Sequence, residues 1–133
     1  MAQTDLRYEH KNNQKKESSV FASGSIATAA TLDAIMFTLP RASIVTNVRV
    51  IVLTASGTAT DTVDVKVGST VVANEAVVGV LGVGAITTVT PTYFETGGIV
   101  TVVAGADAPD AAGVFKLIVE YIETELSEGT YTD

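Results

Sequence analysis

The chain has 133 residues, enough for one domain with a sizeable core and too few for two. Valine occurs 20 times and threonine 19 times against seven leucines, and β-branched side chains favour strands over helices. The formal net charge of −7 argues against nucleic-acid binding, because neutralising phosphates requires a basic face. The absence of cysteine excludes a disulfide framework and a thiolate metal site.

The first 19 residues are polar and lack hydrophobic periodicity. Such a segment cannot by itself bury enough surface to offset the entropy of ordering it, so we expect an extended N-terminal arm that a partner holds. The candidate contact residues of the arm are four bases and one aromatic anchor, although the ring of Tyr8 could also be simply exposed: Arg7, Tyr8, Lys11, Lys15 and Lys16. No apolar run here resembles a signal-peptide core, so synthesis in the cytoplasm is expected.

Short apolar runs separated by turn residues extend over residues 20–123 and predict a β domain. "SIATAAT" and "AIMFTLP" are predicted strands, and Pro40 ends the second because proline cannot donate to a strand ladder. "SIVTNVRVIVLTA" is predicted to be a central strand whose two faces are both covered. Alternate residues point to opposite faces of a strand, so one face carries Val48, Val50 and Val52, and the other carries Arg49, Ile51 and Leu53.

The stretch "VDVKVGSTVVA" predicts a β-hairpin. Valine alternates with Asp64 and Lys66 before the turn, and Gly68 can adopt the positive φ that the first central position of a type II′ turn requires. The valines are therefore expected to face a core.

Four further strands are predicted at "AVVGVLG", "AITTVTPTYF", "GIVTVVA" and "GVFKLIVEYIE". In the last of these, Phe115, Leu117, Val119 and Tyr121 share one face. About eight short strands at this spacing predict an all-β fold, an antiparallel β-sandwich or jelly roll. Parallel α/β folds are excluded by the missing helical patterns, and residues 124–133 are predicted to form an acidic C-terminal tail.

No pattern of catalytic or cofactor-binding residues occurs in the chain, so we expect neither an enzyme nor a bound cofactor or metal. His10 is the only histidine, and a catalytic triad would have to recruit it from the arm. Asp107 and Asp110 could offer oxygen ligands to a calcium ion, but they are better interpreted as ordinary loop aspartates, as are Asp61 and Asp64. The glycines at 79, 82 and 84 do not match a dinucleotide motif and instead indicate bulges or bends.

Residues 76–94 carry no charge, and their glycines, Pro91 and threonines argue against a membrane span. On a monomer, such a strand-prone stretch would be an aggregation hazard. We therefore predict that a homotrimer or a higher symmetric oligomer covers it. The candidate oligomer contacts are Val80, Ile86, Tyr93 and Phe94.

Three stretches, "LPRASIVTNVRVIVLTASGT", "VDVKVGSTVVANEAV" and "YFETGGIVTVVAGADAPDAAGVFKLIVEYIE", together resemble the small β-rich virion structural proteins of tailed bacteriophages. The resemblance covers residues 30–123. It implies a non-enzymatic decoration or cement protein of the phage head that contacts the major capsid protein or other virion proteins. A head fibre or a tail component is the alternative within this group. Outside the group, a carbohydrate-binding or receptor-binding sandwich is the competing interpretation.

Overall fold

The computed structural model describes residues 18–86 and 91–124, and for residues 83–86 it describes the backbone alone. Ten β-strands lie in this part of the chain, which contains no helix long and apolar enough to cross a membrane. The strands are β1 (Ser19–Ala22), β2 (Ile26–Ala27), β3 (Asp33–Leu39), β4 (Ser43–Thr54), β5 (Thr62–Val67), β6 (Thr70–Val77), β7 (Gly82–Ile86), β8 (Thr92–Phe94), β9 (Gly98–Ala104) and β10 (Val114–Glu123).

The strands form two antiparallel sheets that face each other. Sheet A has the order β1-β10-β4-β7, with β2 also paired to β10 and β8 also paired to β4, and sheet B has the order β3-β9-β5-β6. If β1 with β2 and β7 with β8 each count as one interrupted strand, eight positions remain. The first strand position pairs with the eighth, the second with the seventh, the third with the sixth and the fourth with the fifth. This pairing is that of a jelly roll. The predicted all-β fold of about eight strand positions is confirmed.

Strand β4 runs through the middle of sheet A, between β10 and β7, as predicted. Val48, Val50 and Val52 are buried, whereas Arg49 and Ile51 are half-buried. The outward face of β4 is therefore only partly covered within one chain, and the prediction that both faces are covered is not met by the single chain.

The predicted hairpin is confirmed. Strands β5 and β6 pair on either side of Gly68 and Ser69, and Gly68 has a φ of 61° while Ser69 does not have a positive φ. A positive φ followed by a negative one in a two-residue loop agrees with a type II′ turn, which matches the right-handed twist of the strands. Val63, Val65 and Val67 are buried against the opposite sheet.

The core lies between the two sheets and consists mainly of valine. Its largest fully buried side chains are Phe115, Leu39 and Leu117. An aromatic seam covers one side of the sandwich, where β1 and β3 are the edge strands: Phe21 stacks on Phe37 with ring centroids 4.3 Å apart, and Phe37 lies 5.8 Å from the ring of Tyr121. This seam joins the sheets where their edges leave the core open.

Some strand predictions were wrong in detail. "SIATAAT" contributes only Ile26–Ala27, and the short strand β1 was not predicted. "AVVGVLG" does not form its own strand, because its first two residues end β6. Val78, the next residue, then bonds to the β4–β5 loop: its backbone N–H donates to the carbonyl of Asp61, and its carbonyl accepts from the N–H of Ser56. By contrast, Gly84 has no partner between the pairs Val50–Ala85 and Ile51–Val83, so the predicted bulge is confirmed there.

The sandwich has two distinct ends. The loop end carries the connections β2–β3, β4–β5, β6–β7 and β9–β10. The terminal end carries the turns β3–β4, β5–β6 and β8–β9, together with both boundaries of the described chain, because Ser19 pairs with Tyr121 and the backbone N–H of Thr124 donates to the carbonyl of Ala42. Ser19 and Thr124 therefore lie at the same end of the domain.

Candidate interaction surfaces

Asp110 connects separate segments of the chain at the loop end. Its Oδ1 accepts hydrogen bonds from the backbone N–H groups of Ala112 at 2.9 Å and Gly57 at 3.0 Å, and it lies 3.2 Å from the hydroxyl of Ser56. The N–H of Ala112 contributes most, followed by that of Gly57, to a pKa of Asp110 below its ordinary value of 3.8. A Cβ at Gly57 would collide with the Asp110 carboxylate, so this close approach depends on glycine.

Two more polar side chains complete the loop end. The Asp61 carboxylate, in a residue only 6% exposed, accepts hydrogen bonds from the Ser56 hydroxyl and from the backbone N–H of Thr58 at 3.1 Å. The hydroxyl of Thr28 donates to the carbonyl of Asp110 at 2.6 Å and accepts from the N–H of Gly113 at 2.9 Å. The buried carboxylate therefore closes a loop, which is the role favoured by the sequence.

The aspartates considered as calcium ligands do not lie in a cluster of acidic side chains within the described ranges. Residues 18–86 and 91–124 contain no group of three or more His, Cys, Asp or Glu side chains that could hold an ion. Asp107, the other aspartate of the β9–β10 loop, is exposed and uses its backbone carbonyl to accept from the N–H of Thr62.

The outward face of sheet A is the more apolar of the two outer faces. Val20, Leu53 and Tyr93 are exposed by 59%, 45% and 53%. The outward positions of β4 and β10 add side chains that are only half-buried: Ile44, Ile51, Val114, Ile118 and Ile122. Among the described side chains of this face, the charged ones are Arg49, Lys116 and Glu120.

Arg49 and Glu120 form an ion pair in the middle of this face. Arg49 lies on β4 and Glu120 on the adjacent β10, and Nη2 of the guanidinium is 2.8 Å from Oε2 of the carboxylate. The side chains are 35% and 28% exposed. Among the described residues, the buried Nε of Arg49 has no hydrogen-bond partner, and the guanidinium contacts the carboxylate through one nitrogen where a fork of two is possible.

The outward face of sheet B has exposed apolar side chains at the edges of a more polar centre. Ile35 on β3 is 70% exposed, Ile99 on β9 is 49% exposed and Val71 on β6 is 44% exposed. Between the edges, Thr101 and Lys66 face outward, because Thr101 pairs with both Ile35 and Lys66. Three acids, Asp33, Asp64 and Glu75, accompany the single base Lys66 on the exposed side of this sheet.

The described sheet edges are poorly suited to pairing with a strand from another chain. Strand β1 has only four residues, and β3 has a bulge where Met36 lacks a partner. Strand β6 has two register shifts and a positive φ of 58° at Glu75, whose N–H bonds to the Asp64 carboxylate. Short and bulged edges are the usual protection against edge-to-edge association, so β1, β3 and β6 are poor templates for a strand of another chain.

The predicted contact residues occupy different environments. Val80 lies in the β6–β7 connection and is 56% exposed, and Tyr93 is exposed beside Ile44 on sheet A. Phe94 instead packs against the core, and the backbone of Ile86 pairs with Arg49 at the end of β7. The arm residues Arg7, Tyr8, Lys11, Lys15 and Lys16 lie outside the described residues.

Several exposed apolar residues were not singled out from the sequence. Val20, Ile35 and Ile99 all occupy outward positions of strands whose neighbouring residues pack inward. The sequence signal that could have identified them is an apolar residue at a strand position that alternation assigns to the outer face. Ile35 is an example, because its neighbours Ala34 and Met36 both point inward. Single-sequence alternation does not show which of two apolar faces is the core.

No protein-family model and no curated protein sequence matches this chain. Among solved structures, it is similar to a chain of the cyanophage Pam1 capsid asymmetric unit, with 22% identity, coverage of 84% of this chain and 88% of that chain, and a TM-score of 0.59. A chain of the acidic stable capsid of Helicobacter pylori bacteriophage KHP30 is also similar, at 19% identity over 80% and 93% of the two chains, with a TM-score of 0.43. At this identity, the Pam1 comparison supports the fold.

Proposed function

We propose that this chain is a non-enzymatic structural protein of a phage virion, most specifically a decoration or cement protein of the head. In this role the β domain and the N-terminal arm bridge subunits of the major capsid protein. The observation that carries the proposal is the fold shared with a chain of the Pam1 capsid asymmetric unit over 84% of this chain. The sequence resemblance to small virion proteins supports it independently.

The surfaces of the domain suit such a role. Exposed apolar side chains lie on both outer faces, and the described edges are short or bulged, so the domain can contact neighbours through its faces. Segment 1–17 carries four bases, and segment 125–133 carries three acids and no base. An extended arm adds many weak contacts to those of the domain and so multiplies the overall affinity.

The test is reconstitution of decorated particles from purified heads that lack this protein. Deletion of residues 1–17 keeps Ser19 and therefore the β1–β10 pairing. We expect the truncated protein to fold with an unchanged circular dichroism spectrum but to lose binding to heads, measured by co-sedimentation and mass spectrometry of the pellet.

A matched control is deletion of residues 125–133, which also removes a flanking segment at the terminal end. This variant should still bind. Full occupancy after deletion of 1–17 would contradict the bridging role of the arm, and failure of the full-length chain to bind heads at any concentration would contradict the decoration function itself.

A receptor-binding or carbohydrate-binding module is a second candidate, because Tyr93 exposes 53% of its surface on sheet A. Sugar sites stack pyranose rings on aromatic faces of this kind. Binding to a glycan array that is lost in Tyr93→Ala, with the fold retained, would favour this function over decoration.

A further inference from the structure

We infer that the outward face of sheet A packs against the same face of a second copy of this chain, across a two-fold axis that exchanges the Arg49–Glu120 ion pair. The inference concerns the free protein and does not depend on the proposed virion function. It deepens the predicted oligomer: Tyr93 of the predicted contact set lies on this face, whereas Val80 lies in the β6–β7 connection.

The charges of this face are self-complementary. Arg49 and Glu120 lie on adjacent central strands, surrounded by apolar side chains such as Ile118. Within the part of the chain that the structure describes, the guanidinium makes one contact with the carboxylate of Glu120, and its buried Nε has no partner. A second carboxylate arriving at the exposed part of the guanidinium would add a charge-assisted contact to the one with Glu120, without involving the buried Nε.

A two-fold axis gives the guanidinium of Arg49 and the carboxylate of Glu120 an oppositely charged partner in the second copy at the same time. If the axis lies in the plane of contact and runs between Arg49 and Glu120, each Arg49 faces Glu120 of the second copy. An isologous contact of this kind needs only one patch that complements itself. The result is a cluster of two guanidiniums and two carboxylates in which every charge has an opposite neighbour.

Sheet B is a poorer surface for this contact. Its exposed side carries Asp33, Asp64 and Glu75 against the single base Lys66, so two such faces would repel each other. The described side chains of sheet A carry two bases and one acid, which makes this face nearly neutral on a chain with a net charge of −7. Two copies therefore approach with the least repulsion through sheet A.

The size of the face is sufficient for a specific dimer. Four strand positions spaced by about 4.8 Å give a width of about 19 Å, and the ten residues of β10 at about 3.4 Å each give a length of about 34 Å. A rectangle of these dimensions covers about 600 Å² per copy, so two copies would bury about 1,200 Å², the lower end of the range for specific protein interfaces.

The experiment uses the full chain in solution, with its mass measured by sedimentation over a concentration series. We expect the wild-type chain to dimerise, and both Arg49→Glu and Glu120→Arg to weaken dimerisation at least about tenfold because like charges then face each other. Mixing the two variants in equal amounts should restore the dimer, because one face then carries only acids at these two positions and the other only bases.

Two substitutions at exposed positions, one on each sheet, test the same surface without altering the Arg49–Glu120 ion pair. Val20→Lys introduces a charge on the outward side of sheet A, and Ile35→Lys introduces the same charge on sheet B, at side chains that are 59% and 70% exposed. Loss of the dimer in Val20→Lys alone supports the inference. A wild-type chain that stays monomeric up to millimolar concentration, an oligomer insensitive to Arg49→Glu, or dissociation by Ile35→Lys alone would overturn it.

Discussion

At the scale of single residues, Asp110 shows how a polar side chain substitutes for regular structure at the loop end. Its side chain is held by N–H groups on both sides, one from the β4–β5 loop and one from its own loop. Because these donors bind the ionised carboxylate, they lower the pKa of Asp110 below 3.8. Ionisation of this group is therefore coupled to folding.

This coupling predicts a pH-dependent effect of Asp110→Asn. A lowered pKa in the folded state stabilises the protein above pH 3.8, and this contribution is lost as the pH falls through the folded pKa. The variant should therefore unfold at a lower urea concentration than the wild type at pH 7, and the difference should shrink as the pH falls below 3.8. Asp107→Asn, in the same loop, is the control and should match the wild type at both pH values. If the stability lost in Asp110→Asn were the same at all pH values, the proposed coupling between ionisation of Asp110 and folding would be contradicted.

At the scale of strands, alternation decides which side chains carry the stability. Leu117 is fully buried between the sheets, whereas the preceding Lys116 points outward and is exposed. Leu117→Ala removes core contacts and leaves a cavity, so we expect it to lower the free energy of unfolding by about 2–5 kcal/mol. Lys116→Ala should change it by no more than about 0.5 kcal/mol. Urea denaturation of both variants checks this, and similar losses for both would mean that β10 has a different register.

The same alternation explains how much of the fold was predictable. Strands β5, β9 and β10 carry their own apolar and turn signals, so the sequence located them to within a residue or so. Strand β1 has four residues, and its position follows from pairing with β10 rather than from a local pattern. The Arg49–Glu120 pair joins residues 71 positions apart, and no local pattern contains it. Local signals thus predicted the strands, whereas the candidate surface required their arrangement.

At the scale of the whole molecule, the positions of the chain boundaries give the domain a direction. Ser19 and Thr124 both lie at the terminal end, while the polar network of Asp110 and Asp61 lies at the opposite end. If the arm holds the protein on a head, as proposed, the terminal end faces the shell and the loop end faces solvent.

Single cysteines can test this orientation, because the natural sequence contains none. Ser69 lies in the exposed β5–β6 turn at the terminal end, and Ala111 is exposed in the β9–β10 loop at the loop end. Ser69→Cys and Ala111→Cys should react equally fast with a bulky maleimide in the free protein. On decorated heads, Ser69→Cys should become protected while Ala111→Cys keeps its rate, because only the terminal end is then close to the shell. Protection of Ala111→Cys alone would mean the reverse orientation, and unchanged labelling at both positions would mean that the domain does not stand on its terminal end.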